Sequence, residues 1–177
     1  MINNFTPFPI LMSKRLMLRQ LEAKDAKALF DYQSDKNNFE FVDMPVYIAL
    51  EQAQSYIHKM NLGMTENKWI PWAICLKDED EIIGTVSLWH LDDKENKAEL
   101  GYGLFPAYRR KGYMKEALEK VLAYGFDDMK LLTIEAYTSV SNEPSKQFLD
   151  SQAFEFVKNF EDPYSGGALM AYYRKSK

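Results

Sequence analysis

The feature that most limits what this chain can become is a helical stripe set between two strand-like runs. Over residues 112–128, Met114, Ala117, Leu118, Val121, Leu122 and Gly125 fall on one side, and Lys115, Glu116, Glu119 and Lys120 on the other. Three- and four-residue spacing of this kind predicts an amphipathic helix with one face on a core. Residues 98–105 before it and 131–137 after it read as strands. A strand, helix and strand in one sheet cross over right-handedly, so these two strands are expected to lie parallel and adjacent beneath the helix.

The start of that helix breaks the usual local rules. Tyr108-Arg109-Arg110-Lys111-Gly112-Tyr113 sets three cations before the positive end of the helix dipole, with no Ser, Thr, Asp or Asn in capping position. Each cation there costs a few tenths to about 1 kcal/mol unless something negative is nearby. Orphan backbone N–H groups, a glycine that permits close approach and clustered positive charge together describe an anion site, most naturally one for phosphates. The alternative is a solvated basic turn at the surface. No G-x-x-x-x-G-K-[ST] loop is present, and Gly101-Tyr102-Gly103 runs into Pro106 rather than a helix start, so neither common nucleotide fingerprint applies.

The rest of the chain surrounds this unit with antiparallel strands. A half-buried first strand is expected over 15–20, a helix from Asp25 as N-cap with Ala26, Leu29, Phe30 and Gln33 inward, and a second helix over 50–62 stopped by Gly63. Strands follow over 69–76 and 82–91, joined by an acidic turn at 78–81 that reads as solvated. Further on come a short helix over 143–151 and strands over 154–160 and 168–174, the last two joined by Ser165-Gly166-Gly167. The aromatic loop over 37–47 faces either substrate or the core. Residues 1–10 are expected to be an extended lead-in to one domain spanning 1–177.

Composition removes several functions. With 22 Lys and Arg against 26 Asp and Glu, the net charge of −4 argues against a broad basic face for nucleic acid. No run reaches the roughly 18 apolar residues of a membrane helix, and the start lacks a basic leader, so a soluble cytoplasmic protein is expected. Cys75 is the lone cysteine, and His58 and His90 are the only histidines, which makes a zinc site or other metal centre very unfavourable. Cys75 sits in an apolar strand and reads as a packed thiol.

Arg109-Arg110-Lys111-Gly112-Tyr113-Met114 resembles the acyl-CoA pyrophosphate loop of the GNAT superfamily of N-acetyltransferases, with Met114 departing at the last position, where that pattern has Gly or Ala. Over nearly the whole chain the resemblance is to the ribosomal-protein N-acetyltransferase branch, RimJ/RimL-like. It rests on Arg15-Leu16-Met17-Leu18-Arg19 with Asp25-Ala26, on Ile82-Ile83-Gly84-Thr85, on Ala98-Glu99-Leu100-Gly101-Tyr102, and on Asn142-Glu143-Pro144-Ser145 with Ala153-Phe154. Ala153 stands where the family usually has glycine.

The resemblance implies an α+β fold: a mixed, mostly antiparallel sheet of about seven strands, about four helices, and a splayed central parallel pair. It implies acetyl-CoA as co-substrate; no metal is expected from the Cys and His counts, and a monomer and a homodimer are both open. Backbone groups near Leu104 would pair with the pantetheine arm, Asn142 would hold the opposite wall, and Arg109, Arg110, Lys111, Gly112, Tyr113 and Met114 would take the pyrophosphate.

An amine must be neutral to attack. At pH 7 this costs about 4–5 kcal/mol for a lysine amine but only about 1 for a peptide α-amine, which therefore needs only a weak base. Glu99 and Glu135, flanking the implied cleft, are the candidates, each with the alternative of an inert strand carboxylate. Leu149 stands where many family members place a tyrosine acid, so the leaving thiolate would draw its proton from Ser145, Tyr137, water or the product ammonium. His90 is either a substrate contact or a partly exposed strand residue. The expected activity is acetyl transfer to a protein or peptide α-amine. A small acceptor such as a polyamine or aminoglycoside is the nearest rival, and a CoA-binding protein without turnover is the rival from another class.

Overall fold

Eight strands join in one sheet in a computed structural model that describes residues 1–42, 44–163 and 167–177. In chain order the elements are β1 (Leu11–Met12), β2 (Leu16–Arg19), α1 (Ala26–Ser34), α2 (Leu50–Thr65), β3 (Ile70–Leu76), β4 (Ile82–Asp92) and β5 (Lys97–Leu104). They continue with α3 (Tyr113–Ala123), β6 (Thr133–Ser139), α4 (Glu143–Ser151), β7 (Glu155–Asp162) and β8 (Ala168–Ser176). Across the sheet the order is β1-β2-β3-β4-β5-β6-β8-β7, antiparallel except for the parallel pair β5–β6. The seven expected strands are present, and the two-residue β1 adds an eighth at one edge.

Side-chain alternation along the strands builds two cores. On one face Trp72, Ile74, Val86, Leu88, Ala98, Leu100 and Ile134 pack with Ala117, Leu118 and Val121 of α3. On the other, Ala73, Cys75 and Ile82 meet Leu29 of α1 and Ala53 and Ile57 of α2. Burial pushes the Cys75 thiol up to about 12, as suits a packed side chain and not a nucleophile. The lead-in segment also contributes: Phe5 is buried, and the Trp72 indole donates to the Pro9 carbonyl at 2.9 Å.

Three local expectations are corrected. Gly63 does not stop α2, which runs on to Thr65; a Cβ at Gly63 would lie 2.0 Å from the Trp69 ring, so the glycine seats an indole. Asp25 makes no cap bond to α1; its buried carboxylate instead accepts from both Arg19 terminal nitrogens at 2.8 Å and from the Glu22 amide at 2.8 Å. The acidic turn before β4 is not merely solvated, because Asp80 pairs with Arg19 at 2.6 Å and with Lys24. The turn expected at Ser165-Gly166-Gly167 lies outside the described residues except for Gly167. Among the described residues no helix is long and apolar enough to cross a membrane.

Candidate active site

β5 and β6 pair only from Lys97–Thr133 to Glu99–Glu135. Beyond that point β5 stays on β4, while β6 is held by β8 along its whole length, so two strands anchored on different neighbours part. The Phe105 amide donates to the Ile83 carbonyl at 2.9 Å. In an antiparallel ladder alternate residues send their backbone groups to the same side, so 101, 103 and 105 serve β4 and those of Tyr102 and Leu104 face the gap. The Leu104 carbonyl is already taken, accepting from Arg109 Nε at 3.0 Å, which leaves the open backbone at Tyr102 and the Leu104 amide.

At the wide end of the gap, a turn at Pro106–Tyr108 leads into the basic loop. Arg110 (φ 60) and Gly112 (φ 79) are both left-handed, and Gly112 heads α3 with no side-chain cap. Such a conformation is readily adopted by glycine and costs other residues about 1 kcal/mol or more. Arg15 pins the loop from β2's edge. Its Nη1 donates to the Lys111 carbonyl at 3.0 Å, its Nε meets Glu116 at 2.7 Å, and its guanidinium lies 4.4 Å over the Tyr113 ring. Burial opposes ionisation of Glu116, but bonds from the Arg15 amide, Ser13 and the Arg15 side chain outweigh it and hold the carboxyl below its ordinary range. Glu116 is thus engaged away from the loop. Arg109, Arg110 and Lys111 are exposed, and among the described residues no carboxylate stands within ion-pair distance of them. Met114 is buried in the core beneath α3, so its side chain does not crowd the loop.

Glu99, Gly101 and Gly103 point to the α1–α2 face of the sheet. A Cβ at Gly103 would meet only the Tyr32 hydroxyl at 3.9 Å, and one at Gly101 would come within 2.9 Å of Ser87 Oγ, so the glycines form a low floor beside Glu99. Glu99 is mostly buried, its side chain 17% exposed, and its carboxylate meets His90 Nδ1 at 2.9 Å. Burial raises the Glu99 carboxyl above its ordinary range, opposed by the His90 bond and assisted by the charges of Glu135 and Asp162. Glu135 next to it is differently furnished: Lys97 donates at 3.2 Å, Tyr137 at 3.1 Å and Tyr172 at 2.8 Å. It lines a cavity of about 330 Å³ with Lys97, Tyr137, Lys158, Phe160 and Tyr172.

On the α3–α4 face the gap is bridged. Ser145 Oγ and the Tyr102 hydroxyl share a hydrogen bond of 2.8 Å, and the Tyr102 ring stands edge-on to Phe148. Burial pushes Tyr102 up to about 12. The Asn142 Oδ1 accepts from the Ser145 amide at 3.1 Å and caps α4. Leu149 is fully buried in the core. Glu99 and Glu135 thus lie on the α1–α2 face of the gap, Ser145 and Asn142 on the α3–α4 face and the basic loop at its wide end; Tyr102, bonded to Ser145, and Arg15, bonded to the loop, are not among the residues that the sequence alone singles out for a site. In the sequence Tyr102 reads as one more residue of a strand motif; its place opposite Ser145 depends on how far the strands part. Among the described residues no group of three or more His, Cys, Asp or Glu side chains is arranged to hold a metal ion.

Residues 15–155 match the family model described as Acetyltransferase (GNAT) domain. The chain is 34% identical over 148 residues to the Bacillus subtilis (strain 168) protein named uncharacterized N-acetyltransferase YoaA, with 84% of each chain covered. It superposes on the GNAT-family acetyltransferase of Bacillus anthracis with a TM-score of 0.82 at 26% identity, covering 95% of this chain and 98% of that one. The structure titled RimL, ribosomal L7/L12 alpha-N-protein acetyltransferase in complex with coenzyme A, shares the fold with a TM-score of 0.84 at 16% identity, covering 95% and 98%.

Proposed function

The chain belongs to the GNAT acetyltransferase family, and on that premise we propose that this N-acetyltransferase moves the acetyl group of acetyl-CoA to the α-amine of a protein or peptide in one ternary complex. The observation that carries the reading is the pair of unlike faces on one cleft: an uncapped, cationic helix start at one end and a buried carboxylate of raised proton affinity at the other. The first suits a diphosphate; the second suits an amine that must lose a proton.

The residues present fit acetyl-CoA. The N–H groups at the start of α3, with Arg110 and Lys111, would hold the diphosphate, and the backbone at Tyr102 and Leu104 would pair with the pantetheine amides. Bound there, the co-substrate supplies an activated acyl carbon. Glu99 is the base in this reading. It lies over the glycine floor, where an amine has room, and among the described residues it has one side-chain hydrogen-bond partner, whereas Glu135 already accepts from three donors. Ser145, hydrogen-bonded to the Tyr102 hydroxyl at 2.8 Å, is the proton donor in this reading. The cytoplasm and a single domain over 1–177 belong to the same reading. An α-amine is favoured over a polyamine because neutralising it costs about 1 kcal/mol, within reach of a lone carboxylate.

The test is thiol release from acetyl-CoA with a panel of N-terminal peptides, polyamines and aminoglycosides. Stimulation by peptides with a free α-amine, and none by N-blocked peptides containing lysine, is the result expected. Stimulation by small polyamines alone would move the acceptor to that class, and none by any amine would favour a CoA binder. Separately, Arg110→Ala should weaken CoA binding about 10–100-fold in calorimetry, the loss of one charge-assisted contact. Arg110 is the cleaner probe because Arg109 also holds the Leu104 carbonyl. Unchanged affinity would remove the diphosphate assignment.

A further inference from the structure

The backbone around His90 has an arrangement that neither strand pairing nor core packing requires. Trp89 is paired with Glu99, the next β4–β5 pair is Asp92 with Lys97, and the register shifts between them. In a regular strand His90 would point to the face opposite Trp89. Instead it sits in the left-handed region at φ 45, and its ring stacks on the Trp89 indole at 4.4 Å between centroids and 16° between planes. The bulge has turned His90 onto the same face as Trp89 and Glu99, a recognised use of such irregularities. A non-glycine residue held there costs on the order of 1–3 kcal/mol, which the surroundings must offset. What the distortion gains, besides the stack on Trp89, is a polar contact: His90 Nδ1 to Glu99 at 2.9 Å, with the imidazole 69% exposed.

We propose that His90 is the proton exit of the acceptor site, taking the acceptor's proton from Glu99 at Nδ1 and releasing another to water from Nε2. This rests on the reading of Glu99 as base. The balance is simple. An acceptor that arrives as an ammonium carries one proton more than the products hold once the N–C bond has formed, the C–S bond has broken and the thiolate has taken a proton. That surplus proton passes to Glu99, then to Nδ1 of a His90 whose Nε2 already carries hydrogen, and the Nε2 hydrogen leaves to water; exchange with water at the exposed ring then moves the remaining hydrogen from Nδ1 back to Nε2, which resets both groups. Without an exit, Glu99 stays protonated behind its burial and turnover waits on solvent entry. Among the described residues the groups facing the pair are Glu135 and Asp162, whose charges favour a proton on Glu99, and Lys97, which is tied to Glu135. Trp89 contributes only its ring.

His90→Asn keeps a small amide able to donate to Glu99 but cannot relay. With saturating acetyl-CoA and the best peptide acceptor, it should lower kcat about 10-fold or more, leave KM for acetyl-CoA unchanged, and be rescued by imidazole in the buffer in proportion to its concentration. Loss that no small base rescues, or unaltered kcat, overturns the relay while leaving acetyl transfer itself standing. Absence of turnover in the parent instead defeats the function reading, and the pair is then judged without activity. The protein has two histidines, so His90→Asn assigns the imidazole ¹⁵N signals. Glu99→Gln should shift the Nδ1 signal of His90 and leave His58 unmoved; an unmoved His90 signal overturns the contact and with it the relay.

Discussion

Glu99→Gln is expected to lower kcat for acetylation by about 10²–10⁴-fold with the affinity for CoA unchanged, the range for loss of a positioned acid–base group. The parent's kcat/KM should climb with pH through an inflection above the ordinary carboxylate range, because burial favours the neutral acid and only the anion takes a proton. In Glu99→Gln that limb should vanish. Stability gives the control. A carboxyl whose proton affinity rises on folding contributes fully below its unfolded value, and that contribution fades as the pH climbs through the folded one. The neutral amide avoids this loss, so the variant should melt no lower than the parent at neutral pH and converge with it near about pH 3. A fall in Tm matching the fall in rate would make Glu99 structural. An equal rate loss in Glu135→Gln, with the inflection removed there instead, would transfer the role to Glu135.

Why Glu99 and Glu135 were visible in the sequence while their difference was not is a matter of range. Period-two alternation puts both on strands, and the strand-helix-strand order makes those strands parallel neighbours, so adjacency follows from local pattern. What separates the two carboxylates comes from elsewhere: Tyr172 from the last strand and Lys97 opposite settle Glu135, while a bulge in β4 brings His90 to Glu99. No turn residue in the sequence marks that bulge. The short helix α4 was legible to its ends, since Asn142 caps it and Pro144 sits in its first turn. The end of α2 was not, because Gly63 has the composition of a stop and the packing duty of a seat for Trp69. Asp25 misled in the same way: an acidic residue before an apolar period looks like a cap unless the arginine six residues earlier is known to fold back on it.

That misreading leads to the largest stability effect. Arg19 and Asp25 are 5% and 2% exposed at the side chain and meet through two parallel bonds of 2.8 Å, and Arg19 continues to Asp80 at 2.6 Å. The cluster ties β2, the start of α1 and the β3–β4 turn together. Asp25→Ala should cost about 3–5 kcal/mol in denaturant unfolding, since it takes from a buried guanidinium the carboxylate that both its terminal nitrogens meet and leaves it only the partly exposed Asp80, and lower Tm by about 6–20 °C. Asp80 is 40% exposed, so Asp80→Ala should cost no more than about 1 kcal/mol. The desolvation argument makes a sharper demand. If the loss in Asp25→Ala comes from an orphaned charge, Arg19→Met in the same chain should restore more than half of it; if it comes from lost helix geometry, the second change should add to the damage. The cleft should register the same event. α1 carries Tyr32, which stacks on Phe105 at 4.8 Å and stands over Gly103, so under the proposed reading, with acetyl-CoA at the α3 end, loosening its start should raise KM for the acceptor while KM for acetyl-CoA stays put. Equal rises in both would mean that Asp25 supports the whole sheet rather than the acceptor wall.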